Sequence, residues 1–165
     1  MQPFDVDLSD LAATERLGAA LATVLQPGDL VVLEGDLGAG KTTLVRAMAR
    51  ALGLPDAVPV TSPTFTLVQD LPTRPPLVHA DLYRLDRVSD VDALGLREMR
   101  PDAVLLVEWG ERFADALGGA DAIVRLELSD TEHGRRARLE ATCGARGRAL
   151  LDAWARALER LPPSR

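Results

Sequence analysis

The residues whose spacing carries the most chemistry are Gly35-Asp36-Leu37-Gly38-Ala39-Gly40-Lys41-Thr42, which fit G-x-x-x-x-G-K-[ST]. Gly35, Gly38 and Gly40 permit backbone conformations in which successive N–H groups point at phosphate oxygens. A helix starting near Gly40 adds its partial positive end to the same site. Lys41 can then reach β- and γ-phosphates as a compact charge, and the Thr42 hydroxyl can sit on Mg2+. Lys41 is also the only lysine in the chain; arginine fills every other cationic position. A chain so biased towards arginine that keeps lysine here marks a site where the two are not interchangeable.

Three further stretches could do chemistry. Ala103-Val104-Leu105-Leu106-Val107 is an apolar run suited to a strand buried on both faces, and it ends in Glu108-Trp109. An acid at the C-terminal end of a central strand beside the phosphate loop is placed to hold Mg2+ or orient water. Trp109 could stack on a base or pack. Val78-His79-Ala80-Asp81-Leu82-Tyr83-Arg84 brings an acid, a phenol and a guanidinium together. His79 reads as an ordinary strand residue; Asp81 either caps the next turn and pairs with Arg84, or serves the site. Thr61, Ser62, Thr64 and Thr66 surround Pro63, and two readings stand side by side. One is a turn held by local hydroxyl hydrogen bonds; the other is a segment returning to the γ-phosphate.

These groups need elements to position them. Val31, Val32 and Leu33 read as the strand before the loop, behind a Pro27-Gly28-Asp29 turn, and Leu44, Val45, Met48, Ala51 and Leu52 repeat at helical spacing behind it. Ser9 is placed to cap a first helix that carries Leu11, Leu17, Leu21, Val24 and Leu25 and ends at Pro27-Gly28. That helix packs on the sheet, and its first turn near Asp10 and Leu11 could contact nucleotide. Thr66–Asp70 and Leu77–Asp81 read as an antiparallel hairpin, residues 86–100 as short solvated helical turns, and Gly110–Leu117 as a helix. Asp92-Ala93-Leu94-Gly95 follows no apolar strand, so its D-x-x-G pattern is rejected. A second hairpin spans Ile123–Leu128 and Arg136–Ala141 around Asp130–Gly134, with cross-strand charge pairs expected. Gly147–Leu161 closes the chain as an amphipathic helix burying Leu150, Leu151, Trp154, Leu158 and Leu161.

The chain has 165 residues, the size of a single domain over 1–165, with 47% hydrophobic content and a net charge of −6. No apolar run approaches membrane-spanning length and no basic-then-apolar leader opens the sequence, so a cytoplasmic protein with no membrane contact is expected. Cys143 is alone, which excludes an intrachain disulfide and a thiolate zinc site. The negative charge disfavours a stand-alone nucleic-acid binder. There is no Asn, so the guanine-reading N-K-x-D motif is absent and ATP is the expected nucleotide.

Gly35 to Thr43, Thr61-Ser62-Pro63-Thr64-Phe65, His79 to Leu85 and Glu108-Trp109, in that order and spacing, resemble the TsaE family of bacterial tRNA threonylcarbamoyladenosine biosynthesis proteins. The resemblance covers nearly the whole chain. It implies an α/β, three-layer P-loop NTPase-like fold, with a central, mostly parallel sheet and added antiparallel hairpins. It further implies a slow ATPase, using ATP and Mg2+, that resets the TsaD–TsaB complex and meets tRNA only through it. By correspondence Gly38, Ala39, Gly40, Lys41, Thr42 and Thr43 bind the nucleotide, Thr42 and Glu108 hold Mg2+, and Lys41, Asp81 and Glu108 serve the chemistry. Leu11, Thr64 in a switch-like loop, and Arg135 would also reach the nucleotide, although Arg136 and Arg138 stand close by as rivals. The alternative is a small-molecule kinase in which Asp81 activates an acceptor hydroxyl.

Overall fold

In the computed structural model, which describes residues 2–128, 134–142 and 144–160, the elements run Phe4–Leu8 (β1), Leu11–Ala22 (α1), Leu30–Glu34 (β2) and Lys41–Ala51 (α2). They continue with Val68–Leu71 (β3), Leu77–Asp81 (β4), Val88–Asp92 (α3), Leu96–Met99 (α4) and Val104–Glu108 (β5). Ala122–Leu128 (β6), Arg135–Ala141 (β7) and Ala145–Glu159 (α5) complete the chain. The strands form one sheet in the order β1-β7-β6-β2-β5-β4-β3. Its middle strands β4, β5, β2 and β6 are parallel, and β3, β7 and β1 add antiparallel edges on either side.

Strand alternation sorts the core into two layers. Val31, Leu33, Val104 and Leu106 pack with Leu17, Leu21, Leu44, Met48 and Trp154 of α1, α2 and α5. Their neighbours Leu30, Val32, Leu105 and Val107 face Val91, Leu96, Phe113 and Leu117 on the other side. Strands apolar on both faces are what a sheet covered by helices requires. Parallel pairing has one consequence for function: the C-terminal ends of β2, β4 and β5 reach the same edge.

Several boundaries differ from expectation for identifiable reasons. Asp10, not Ser9, caps α1, accepting from the Ala13 N–H at 2.7 Å. That helix ends at Ala22, short of Pro27-Gly28, where the Thr23 hydroxyl donates to the Ala20 carbonyl at 2.8 Å. The helix expected over 110–117 is only a 3-10 turn at Glu111–Phe113 followed by further turns. Gly118 and Gly119, at φ of 87° and 86°, close the segment in a left-handed turn before β6. β1 was not anticipated; it pairs with β7, Phe4 opposite Leu139 and Leu8 opposite Arg135. The hairpin loop at 129–133, Cys143 and Leu161 lie outside the described residues. Among those described, no helix is long and apolar enough to cross a membrane.

Asp29, 2% exposed, ties α5 to the turn before β2: its carboxylate accepts from Arg146 Nε and Nη2, both at 2.6 Å, and from the Gln26 N–H at 2.9 Å. The same pairing raises the Arg146 guanidinium above its ordinary range. Replacing Asp29 with Ala leaves Arg146 only its bond to the Val24 carbonyl at 3.2 Å and the Gln26 N–H without its acceptor, so urea unfolding should show a loss of about 3 kcal/mol. A change under ~0.5 kcal/mol would mean the pair behaves like an exposed one.

Candidate active site at the C-terminal edge of the sheet

The loop after β2 turns through Gly35, Gly38 and Gly40, with φ of 140°, 82° and 109°. A Cβ on Gly35 would stand 2.4 Å from the Leu126 carbonyl oxygen, so glycine is required there both for conformation and for space. Gly40 precedes α2 without a side-chain cap, which leaves the first-turn N–H groups free of side-chain acceptors. Ala39 is the exception in the loop, its N–H donating to the Asp36 carbonyl at 3.0 Å.

Lys41 opens α2 and is 5% exposed. Its ammonium donates to the carbonyls of Gly35 and Asp36 and lies 4.7 Å from the centroid of the Trp109 ring. Trp109 reaches that position from a left-handed backbone, φ 58°, immediately after β5, and its ring is 4.9 Å from that of Tyr83. Thr42, one residue on, donates its hydroxyl to Glu108 Oε1 at 2.8 Å. The same oxygen lies 2.8 Å from His79 Nε2.

Glu108 and Asp81 end neighbouring parallel strands and are register partners, each 3% exposed. Asp81 Oδ2 accepts from Ser62 Oγ at 2.9 Å and Thr64 Oγ1 at 3.2 Å, while Oδ1 accepts from the Tyr83 N–H at 2.9 Å. Ser62 and Thr64 are thus hydrogen-bonded to each other at 3.0 Å, as a local turn requires, and both also reach the acid beside Glu108. Asp81 makes no pair with Arg84, whose guanidinium lies 4.3 Å over the Phe65 ring.

A cleft of about 510 Å³ joins these groups, with Lys41, Thr42, Thr64, Asp81 and Glu108 on its wall. Gly38, Gly40, Thr43 and Arg135 line it too. Of the three neighbouring arginines, strand alternation selects Arg135. It shares a face with buried Ala137 and Leu139, donates to the Gly38 carbonyl at 3.4 Å and lies against Gly40. Arg136 and Arg138 point the other way, to Asp7 at 3.2 Å and Asp5 at 3.3 Å on β1. Leu11 stays outside the main cleft; it lines a smaller recess of about 140 Å³ with Ala39, Gly40, Thr43 and Arg135.

Sequence reasoning passed over two contacts. His79 was legible in principle, since a residue two before Asp81 on one strand shares its face. The Trp109–Lys41 contact had no sequence signal, because it depends on a positive φ in a residue that rarely adopts one.

Comparison with known proteins places this geometry. The family model for threonylcarbamoyl adenosine biosynthesis protein TsaE matches residues 8–138. The tRNA threonylcarbamoyladenosine biosynthesis protein TsaE of Mycobacterium tuberculosis is 44% identical over 124 residues, 69% of this chain and 73% of its own length. That of Streptomyces coelicolor is 48% identical over 100 residues, 58% of this chain and 66% of the relative. The one from Aquifex aeolicus is 38% identical over 136 residues, covering 82% and 94%. The crystal structure of Bacillus subtilus YdiB superposes with a TM-score of 0.74 at 26% identity, over 94% of this chain and 95% of that one. With its three-layer P-loop NTPase-like fold and a family match spanning most of its length, the chain belongs to the TsaE family of threonylcarbamoyl adenosine biosynthesis proteins.

Proposed function

We propose that this chain is an Mg2+-dependent ATPase serving threonylcarbamoyladenosine modification of tRNA, and that it acts on a TsaD–TsaB assembly as its reset factor. The observation that carries the reading is the convergence of Lys41, Thr42, Asp81 and Glu108 on one cleft beside the glycine loop. In the proposed role the loop N–H groups and Lys41 bind the triphosphate, and Arg135 approaches it over Gly40. Leu11, with Thr43, would border the nucleoside from the smaller recess.

Thr42 and Glu108 fit a magnesium ion: both are oxygen donors, the hard-ligand chemistry that ion prefers, and they already meet at 2.8 Å. Among the described residues no group of three or more His, Cys, Asp or Glu is arranged for a metal. A cation that shares one carboxylate, one hydroxyl, phosphate oxygens and water needs none. When bound, Mg2+ would neutralise charge on the phosphate oxygens. Asp81 would orient the attacking water or support the metal shell, and Ser62 and Thr64 would report the state of that site to the loop carrying exposed Phe65.

Slow turnover in isolation is expected, because Arg135 is the only arginine among the described residues lining the cleft and its guanidinium is turned to the Gly38 carbonyl. Partner proteins would complete the site. The arginine pair on β7 is matched by Asp5 and Asp7, which suits contact with tRNA only through the complex. Kinase chemistry would use the same Asp81 as general base toward an acceptor hydroxyl, so the fate of the γ-phosphate separates the two readings.

The test is ATP turnover with and without TsaD, TsaB and tRNA, for the wild type and for Glu108→Ala. The expected result is stimulation by the partners that vanishes in the variant. Turnover that ignores the partners, or γ-phosphate found on a metabolite, overturns the proposal in favour of a kinase.

A further inference from the structure

We infer that His79 is a positioning residue for Glu108, holding its carboxylate in the orientation from which it and Thr42 together would take Mg2+; this rests on the reading of Glu108 given above. His79 is 0% exposed. It sits on β4 opposite Leu106, on the apolar face that includes Leu77 and Val104. Its single hydrogen bond among the described residues joins Nε2 to Glu108 Oε1 at 2.8 Å, and its Nδ1 is buried without a partner.

That arrangement is costly as packing alone. A buried polar atom without a partner lowers stability, and an aliphatic side chain of similar size would avoid the cost. The ring nitrogen facing Glu108 is the donor, because a carboxylate only accepts. Thr42 also donates to Oε1, yet its hydroxyl is itself a candidate ligand and must turn a lone pair to the cation. His79 has no second task. It is outside the cleft lining, is fully buried, and holds a flexible glutamate at the strand end. Glu108 Oε2 has no hydrogen-bond partner among the described residues, which leaves it for a ligand.

The readout is the gain in affinity for a fluorescent ATP analogue on replacing EDTA with Mg2+, measured on the intact chain. In His79→Leu that gain should fall by about tenfold, a size typical of outer-shell partners of metal ligands. Affinity in EDTA should stay within about twofold and the melting temperature should not drop. His79→Gln, whose amide N–H can occupy the Nε2 position, should recover the gain to within about threefold, whereas the shorter His79→Asn should not.

Equal weakening in EDTA and Mg2+, an unchanged gain in His79→Leu, or glutamine no better than asparagine each overturns the inference. Should His79→Leu fail to fold, the glutamine–asparagine comparison decides alone. Glu108→Gln separates the two levels. If it abolishes the gain while His79→Leu keeps it, only the role of His79 falls; if it keeps the gain, the metal reading of Glu108 falls and this inference with it.

Discussion

Replacing Lys41 with arginine is expected to lower kcat/KM for ATP by about 10³-fold, as much as alanine does, although arginine keeps the charge. The reason is the shape of the space. Lys41 is 5% exposed, its ammonium held between the carbonyls of Gly35 and Asp36 and against the Trp109 ring. A planar guanidinium has five donors in a fixed fork and cannot be enclosed by two loop carbonyls and an indole face without displacing one of them. A loss of ~10³ corresponds to about 4 kcal/mol of transition-state stabilisation, within the range for removing one preorganised charge from a phosphoryl-transfer site. Single-turnover hydrolysis in the partner complex would measure it, with melting curves to show that each variant is folded. Arginine activity within tenfold of the wild type would show that charge alone matters, and that the solitary lysine reflects no special geometry.

The lysine also illustrates what was readable before any coordinates. The glycine loop and the apolar run ending in Glu108 rely on local rules: glycine for positive φ, lysine and threonine for phosphate and metal, and a two-sided apolar strand for a covered sheet. Those rules point to the sheet edge at which the cleft of Lys41, Thr42, Asp81 and Glu108 lies. The sequence leaves the arginines of β7 undecided; the observed strand puts Arg135 with Ala137 and Leu139 and pairs Arg136 and Arg138 with Asp7 and Asp5 of β1. β1 escaped notice because its alternation, Phe4-Asp5-Val6-Asp7-Leu8, is short and its two acids are matched only across the sheet, by Arg138 and Arg136 on β7, while Phe4, Val6 and Leu8 pack on the core. The missing helix at 110–117 is a failure of another kind. Its composition allows a helix, yet the chain takes a 3-10 turn and further turns up to Gly118-Gly119, both at positive φ, and composition alone does not decide between the two. The face of His79 was legible from its spacing to Asp81, but its partner Glu108 follows from the β4–β5 register, and the Trp109–Lys41 contact from a positive φ after β5.

Glu108→Gln should lose about 10²- to 10³-fold in Mg2+-dependent turnover while the folded protein becomes more stable, by about 1 kcal/mol. The substitution is close to isosteric. Its amide oxygen can still accept from Thr42 and His79, so the 2.8 Å contacts survive and the side chain keeps its place. What disappears is charge. In the wild type two carboxylates, Glu108 and Asp81, end adjacent strands with 3% exposure each, and their mutual repulsion and desolvation oppose folding. The amide relieves both terms but cannot neutralise a divalent cation, so the proposed metal site fails for lack of charge, with its geometry intact. Activity and stability should therefore move in opposite directions, as they do where a functional site is held at the expense of the fold. Turnover across a Mg2+ titration and urea unfolding of the same samples test this directly. A variant that loses stability along with activity would place Glu108 among the structural acids of the fold, and the oxygen pair it forms with Thr42 would then be a packing contact without metal chemistry.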